Sequence, residues 1–166
     1  MAPILFDETL FADLSGAANT SGRKRANRNI HGDYQDVVQR LFITLLPDSY
    51  VRPHKHVQDE KWEFFLMVSG QVSFLLFNDE GVCTERYELS ATGSIKGLEI
   101  PANCWHCVVP GDAEATFFEV KQGPYVQMDD KGFAPWSPSE GDAEVEDFLR
   151  VLKTLKVGNS VLESKQ

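Results

Sequence analysis

Residues 51–70, VRPHKHVQDEKWEFFLMVSG, decide the fold, because they place chemistry-bearing side chains directly before an apolar strand. His54 and His56 stand one residue apart, and Glu63 opens the apolar run that ends at Gly70. Alternate residues of an extended chain point to one side, so the two imidazoles are predicted to share a face. A hairpin turn at Gly70 would make the next strand antiparallel and bring Glu63 beside the histidines.

The chain around this stretch has the pattern of short strands divided by tight turns. Apolar or alternating runs continue from about residue 37 to residue 122, with turn residues at 69–70 and 79–81. Short strands separated by tight turns are typical of an all-β sandwich or barrel. We therefore predict an all-β fold.

Helical spacing of apolar residues flanks the predicted strands. Residues 7–18 and 143–155 each place apolar side chains on one helical face. The sequence thus predicts one domain in three parts. Residues 1–36 form a helical arm and a loop, residues 37–125 form the β-barrel, and residues 126–166 form a proline-rich loop and a helix packed on the same domain.

The composition limits the classes of partner. The 166 residues carry a formal net charge of -9, and 42% of them are hydrophobic. An acidic chain lacks the basic footprint that nucleic acid or an anionic membrane attracts, so neither is a predicted partner. The first apolar stretch contains acids and has no basic n-region, so no signal peptide is expected. Three cysteines in such a chain predict reduced thiols and a cytoplasmic location.

A further histidine completes a predicted metal site. His106 lies on a later predicted strand, where it can face the same interior as His54, His56 and Glu63. Three imidazoles and one carboxylate suit one divalent transition metal, namely zinc, iron, manganese or nickel. They would leave coordination positions open for a small molecule. Glu60 is the alternative carboxylate, although it stands ten residues before the turn glycine and so loses the strand phase.

Three residues beside the proposed ligands are candidates for lining the pocket. Trp62 and Trp105 flank ligands and either roof the pocket against water or are ordinary core aromatics. Cys104 is predicted to be a buried neighbour of the metal rather than a redox thiol, because the two thiols of CWHC alternate to opposite faces of a strand.

Three basic residues within or beside predicted strands are candidates for binding an anionic ligand. Arg40, Arg52 and Lys121 could hold a phosphate or a carboxylate at the barrel mouth. The alternative is that they pair with Glu99 or Glu119. The residues alone leave both options open.

Two further polar groups precede the predicted barrel. Asn29 and His31 belong either to a surface turn, which the pattern favours, or to an arm that covers the pocket. The basic cluster of residues 23–28 is predicted to be a solvated loop, with diphosphate binding as the minor alternative.

The spacing of the candidate ligands resembles that of a known superfamily. HKH at residues 54–56 with Glu63 resembles the first cupin motif, and PANCWH at residues 101–106 resembles the second. The gap before the glutamate is longer than usual, Asn103 replaces a glycine, and Pro110 stands where an asparagine is common. The resemblance implies a double-stranded β-helix, the cupin or jelly-roll barrel.

A closer resemblance extends over most of the chain. It is carried by the stretches VQRLFITLLPDSYVRPHKH, EKWEFFLMVSGQV, EIPANCWHCVV, FFEVKQGPY and FAPWSPSEGD, which together resemble the WbuC family of cupin-fold metalloproteins. This implies bound metal and an association with O-antigen or other surface-polysaccharide synthesis. The predicted function is a metal-dependent enzyme acting on a small polar, carbohydrate-derived molecule, with a non-catalytic sugar- or metabolite-sensing cupin as the rival. No catalytic residue is assigned, and a homodimer stays an open option.

Overall fold

The computed structural model describes residues 3–58 and 61–163, which contain two α-helices, one 3-10 turn and eight strands. The helical elements are α1 (Glu8–Thr20), the 3-10 turn (Asp130–Gly132) and α2 (Val145–Thr154). The strands are β1 (Arg25–Asn29), β2 (Val38–Leu45), β3 (Glu63–Ser69), β4 (Gln71–Phe77), β5 (Cys83–Ser90), β6 (Gly97–Ile100), β7 (Trp105–Pro110) and β8 (Ala115–Gln122). Within those residues, no helix has both the length and the apolar character needed to cross a membrane.

The strands form two antiparallel sheets. One has the order β1-β2-β8-β3-β6 and the other has the order β5-β4-β7. A core cluster joins them, with Phe65 and Phe117 of the larger sheet packed with Phe74 and Val108 of the smaller. This is the double-stranded β-helix of the cupin fold, and the predicted fold class is confirmed.

The predicted turns form where the backbone needs glycine. Gly70 joins β3 to β4 with a φ of +68°, and a Cβ there would lie 2.5 Å from the Glu114 carbonyl oxygen. Gly81 joins β4 to β5 with a φ of +78°. L side chains rarely adopt this left-handed region, so both turns depend on glycine. The Gly70 turn carries the chain from the larger sheet to the smaller one, so β3 and β4 do not pair as the predicted hairpin. Glu63 is positioned instead by the pairing of β3 with β6 and β8.

The two helices cover the outer faces of the sheets. The Asp7 side chain caps α1 by accepting from the Leu10 N–H at 3.0 Å, and α1 packs Leu14 against Phe42 of β2. On the opposite side, α2 packs Phe148 against the three-stranded sheet. Because both helices lie outside, the barrel interior stays free for a cavity.

The structure corrects the predicted loop before the barrel. Residues 25–29 are not loop but form β1, an edge strand paired with β2 from Arg25↔Leu45 to Asn29↔Leu41. The sequence RANRN has a single apolar residue, Ala26, which packs against the cluster of Leu14 and Phe42. It therefore shows no apolar alternation. The N-terminal segment therefore adds a strand to the larger sheet.

Candidate metal centre

A cavity of about 520 Å³ lies inside the barrel. Its volume falls in the range of typical small-molecule sites. The apolar part of its wall comes largely from both sheets and includes Leu41, Ile43, Leu45, Phe65, Val108 and Phe117. The polar part holds all four residues predicted as metal ligands, His54, His56, Glu63 and His106.

The backbones of His54 and His106 hold each other in place. The His54 N–H donates to the His106 carbonyl at 3.0 Å, and the His106 N–H donates to the His54 carbonyl at 2.9 Å. This bridge lies at the edge of β7, and it sets the two ring centroids 4.4 Å apart. The loop residue is thereby fixed against the strand residue as firmly as a partner in a sheet.

Carbonyl groups orient the two rings. The Nδ1 of His54 lies 2.8 Å from the Arg52 carbonyl, and the Nδ1 of His106 lies 2.9 Å from the Cys104 carbonyl. A carbonyl oxygen can only accept, so the hydrogen-bond network assigns the proton to Nδ1 and directs Nε2 to the site. His106 also stacks on the ring of Phe74 with a centroid distance of 5.5 Å. Metal-binding histidines commonly donate the N–H of the other ring nitrogen to a backbone carbonyl, as these two do.

Glu63 places a buried carboxylate between the imidazoles. It is 2% exposed and pairs with Lys121 in the β3–β8 register. Its Oε2 lies 3.0 Å from the His106 Nε2, yet that oxygen makes no well-formed hydrogen bond within the described residues. Ligand atoms of His54, Glu63 and His106 lie within 4.8 Å of one another. A buried oxygen without a good donor, facing imidazole nitrogens, suits a cation, so the residues fit a metal.

His56 joins the cluster through the carboxylate. Its Nε2 lies 3.1 Å from the Glu63 Oε1, and it is not among the three residues whose ligand atoms are mutually close. The backbone of Asn103, which has a φ of +61°, holds His56 by donating its N–H to the His56 carbonyl at 2.9 Å. The alternative carboxylate, Glu60, lies outside the described residues.

The pKa shifts follow from burial and from the charge of Glu63. Burial alone would raise the pKa of Glu63, but His106 and His56 outweigh it and hold that pKa well below its usual value. Burial opposes the charged form of His106, but Glu63 outweighs that effect and raises its pKa. Burial, with His106 next to it, lowers the pKa of His54 to about 3. Without an ion, a proton on His106 therefore balances Glu63, and a metal would displace that proton.

A second ion pair borders the centre. Lys121 is one of the predicted ligand-binding residues, and its Nζ lies 2.6 Å from the Glu119 Oε1 and 3.9 Å from the Glu63 Oε1. Burial opposes the charge of Lys121, but the two carboxylates outweigh it and raise its pKa to about 12. Lys121 thus pairs with Glu119, as one predicted alternative has it, and it also lines the cavity, whereas its binding of an anionic ligand stays a prediction.

The structure places the other two predicted basic residues away from the cavity. The Arg52 guanidinium bonds Ser137 and Ser139 and lies 4.9 Å from the centroid of the Phe133 ring. Residues 51–53 do not form a strand, so strand alternation does not direct the Arg52 side chain towards the cavity. Arg40 is exposed, and neither arginine is a lining residue of the cavity.

The three residues predicted to line the pocket are also absent from its described wall. Trp105 is buried in the core cluster that includes Phe148 of α2; its Nε1 donates to Asp79 at 2.7 Å and the Lys55 Nζ lies 4.3 Å from the centroid of its ring. Cys104 packs into the barrel core beside the cavity, burial raises the pKa of its thiol, and its carbonyl orients His106. Trp62 is half-buried and precedes Glu63, so strand alternation directs it to the other face.

Several of residues 23–31 line the cavity, although the sequence favoured a solvated loop and a surface turn there. Asn29 and His31 both line the cavity, although a surface turn was the favoured prediction. Arg25 also lines it, and its guanidinium bonds Glu140 and the Tyr50 carbonyl instead of being solvated. The signal that could have identified this wall is the alternation of polar residues in RANRN.

Comparisons with known sequences place the chain in one family. A family model described as "Domain of unknown function (DUF6016)" matches residues 6–89, which is half of the chain. No curated protein sequence matches it.

Solved structures with low sequence identity have a similar fold. Protein SO0799 from Shewanella oneidensis is 12% identical, with a TM-score of 0.54 over 69% of this chain and 78% of that one. A conserved protein of unknown function, SPY1581 from Streptococcus pyogenes, is 13% identical, with a TM-score of 0.50 over 76% of this chain and 91% of that one. A cupin superfamily protein from Desulfitobacterium hafniense is 12% identical, with a TM-score of 0.46 over 59% and 76%.

Proposed function

The chain belongs to the DUF6016 family, and we propose that it is a metal-binding cupin that holds a small polar ligand in its barrel. The observation that carries this proposal is the buried Glu63 carboxylate, with an oxygen 3.0 Å from the His106 Nε2 and no well-formed hydrogen bond within residues 3–58 and 61–163. The proposed ligands are His54, Glu63 and His106, with His56 as the fourth.

The leading form of the proposal is a metal-dependent enzyme acting on a carbohydrate-derived molecule. A bound divalent metal would supply a Lewis acid for a ligand carbonyl or hydroxyl, or activate a bound water or dioxygen. The protein's own part is to orient two imidazoles through the Arg52 and Cys104 carbonyls and to keep Lys121 charged beside the site. The apolar wall of the cavity excludes water from the ligand.

A non-catalytic ligand-binding protein is the second candidate, and one observation favours it. In the described part of the cavity, the acid and base beside the proposed metal ligands, Glu119 and Lys121, already neutralise each other at 2.6 Å. A lysine with a pKa of about 12 does not act as a base near neutral pH. Product analysis of any bound molecule distinguishes turnover from binding.

The finer parts of the proposal rest on the sequence. Membership of the WbuC group and a role in surface-polysaccharide synthesis rest on the resemblance of five sequence stretches. A cytoplasmic location rests on the thiols, and all three cysteines are free in the structure. A homodimer is also part of the proposal.

Elemental analysis of protein purified without chelator or metal-affinity tag tests the central claim. We expect close to one equivalent of zinc, iron, manganese or nickel. The His106→Ala variant should lose it, whereas His31→Ala should retain it, because His31 is the one histidine of the four that lies outside the proposed ligand set. Wild-type protein that stays metal-free after incubation with each of these ions would refute the proposal.

A further inference from the structure

The cavity has a second polar end, built by β1 and the residues after it. Arg25, Asn27 and Asn29 alternate along β1 on the face that lines the cavity, and His31 follows them. The Asn27 amide donates to the Asn29 side-chain oxygen at 2.9 Å, which leaves donor and acceptor groups of the pair for a ligand. This end lies outside the cluster proposed to bind the metal.

His31 is the buried member of this end. It is 9% exposed, and its Nδ1 lies 3.0 Å from the Arg40 backbone nitrogen and 2.9 Å from the Arg40 carbonyl oxygen. Its Nε2 is buried and has no hydrogen-bond partner among residues 3–58 and 61–163. A buried polar atom without a partner costs about 1–3 kcal/mol.

The backbone around Arg40 assigns the proton of the imidazole. The Arg40 carbonyl already accepts from the Ile30 N–H at 2.8 Å, so the Arg40 N–H points to the same neighbouring strand. Beyond the end of β1, the acceptor for that N–H is the His31 Nδ1 at 3.0 Å. A proton on Nδ1 would take away the acceptor that the Arg40 N–H has at 3.0 Å, so Nδ1 carries the lone pair and Nε2 carries the proton.

The groups at the two ends select a ligand class. At the metal end, two positive charges on an ion would exceed the single negative charge of Glu63, while Lys121 and Glu119 neutralise each other. The one net positive charge would attract an anionic group. At the β1 end, an imidazole N–H donates and two asparagine amides both donate and accept, which matches hydroxyl groups. The cavity of about 520 Å³ has room for a six-carbon chain.

We propose that His31 is a ligand-binding residue whose Nε2–H donates a hydrogen bond to a hydroxyl of a sugar acid, while the carboxylate of that ligand lies at the metal end. This inference rests on the proposed function for its anionic end, but the assignment of His31 does not. It makes β1 the wall that distinguishes a polyhydroxylated acid from a simple fatty acid.

The first test reads the proton position directly. Long-range ¹H–¹⁵N correlation spectra of the metal-free protein at neutral to mildly basic pH report which nitrogen of each neutral histidine is protonated. We expect a proton on Nε2 for His31 and on Nδ1 for His54. A proton on Nδ1 of His31 overturns the proposal, and this outcome is independent of any variant folding.

The second test measures ligand selection. Calorimetry of zinc-loaded protein should show D-gluconate binding more tightly than hexanoate, which has the same chain length and carboxylate but no hydroxyls. In the His31→Asn variant, the asparagine Oδ1 can still accept from the Arg40 N–H, but the Nε2 donor is gone. We expect about 5- to 10-fold weaker gluconate binding, since one hydrogen bond contributes about 1 kcal/mol, and unchanged hexanoate binding.

Two results of the second test would overturn the proposal, namely equal affinity of wild type for gluconate and hexanoate, or unchanged gluconate binding in His31→Asn. Elemental analysis of the same samples distinguishes this failure from that of the proposed function. Wild type that retains no metal refutes the metal site, whereas metal-loaded protein that fails to select gluconate refutes the His31 site.

Discussion

The two ends of the cavity use the same side chain in opposite ways. At the metal end, His54 and His106 face carbonyl oxygens with Nδ1, so Nε2 is the atom that can present a lone pair to an ion, on His106 once a metal has displaced its proton. At the β1 end, the Nδ1 of His31 receives an N–H from Arg40, so Nε2 presents a proton. The difference shows that the backbone group behind an imidazole decides whether its front atom suits a cation or a ligand oxygen.

Replacing the carboxylate of the metal end should have the largest effect. Glu63→Gln removes the negative charge that lies between the imidazoles, so the bound metal should fall from about one equivalent to near zero in elemental analysis. The matched control is Glu60→Gln, which should retain the metal. Equal loss in both variants, or loss in the control alone, would assign the carboxylate ligand to Glu60.

Within the metal end, His54 and His56 should differ. His54 belongs to the compact trio, whereas His56 contacts Glu63 at 3.1 Å. His56 is the proposed fourth ligand and also orients Glu63, and loss of an orienting partner alone typically costs about 10–100-fold in affinity. We therefore expect His56→Ala to weaken zinc binding by at least that factor and His54→Ala to weaken it further. Competition with a chromophoric chelator measures both. Equal affinities would give the two residues the same role.

Acid should weaken metal binding with a pH dependence that corresponds to the release of one proton. The raised pKa of His106 means that a proton occupies its Nε2 in the metal-free site. The Nε2 of His54 is unprotonated near neutral pH, because the pKa of His54 is about 3. Below the pKa of His106, zinc affinity should fall about tenfold per pH unit, and above it the dependence should vanish. The same titration of His31→Asn should have an unchanged slope. A second proton that persists in the His56→Ala variant would contradict the assignment of His54.

Arg52 should have the smallest effect on either end. Its guanidinium bonds Ser137 and Ser139 instead of facing the cavity, so Arg52→Ala should leave metal content and gluconate affinity within about twofold of wild type. The lost hydrogen bonds should lower the free energy of unfolding by about 1–2 kcal/mol in urea titrations. A selective loss of gluconate affinity with unchanged stability would show that Arg52 binds the ligand.

The metal end was predictable from sequence because its signals are local. Strand phase places Glu63 on the cavity face of β3, and alternation places His54 and His56 together, although Glu63 is held by β6 and β8 and not by the predicted hairpin at Gly70. The φ of +61° at Asn103 also agrees with the tolerance of asparagine for tight turns. The sequence could not separate His56 from the compact trio, since that difference depends on side-chain distances of a few ångströms.

The β1 end was missed because its signals are long-range. The strand Arg25–Asn29 is polar on the cavity face, so it lacks the apolar alternation by which strands are recognised. The role of His31 depends on Arg40, nine residues away on the paired strand. Arg52 was misplaced for the same reason, because its partners lie about 85 residues further along the chain.

The two backbone hydrogen bonds between His54 and His106 link metal release to the local opening of the barrel. Each of these residues protects the amide proton of the other, at 3.0 and 2.9 Å, so neither amide exchanges with solvent unless the two imidazoles separate. An ion held by both rings must be released before that opening. The hydrogen-exchange rate of these two backbone amides should therefore report metal release, and it should fall as the free metal concentration rises.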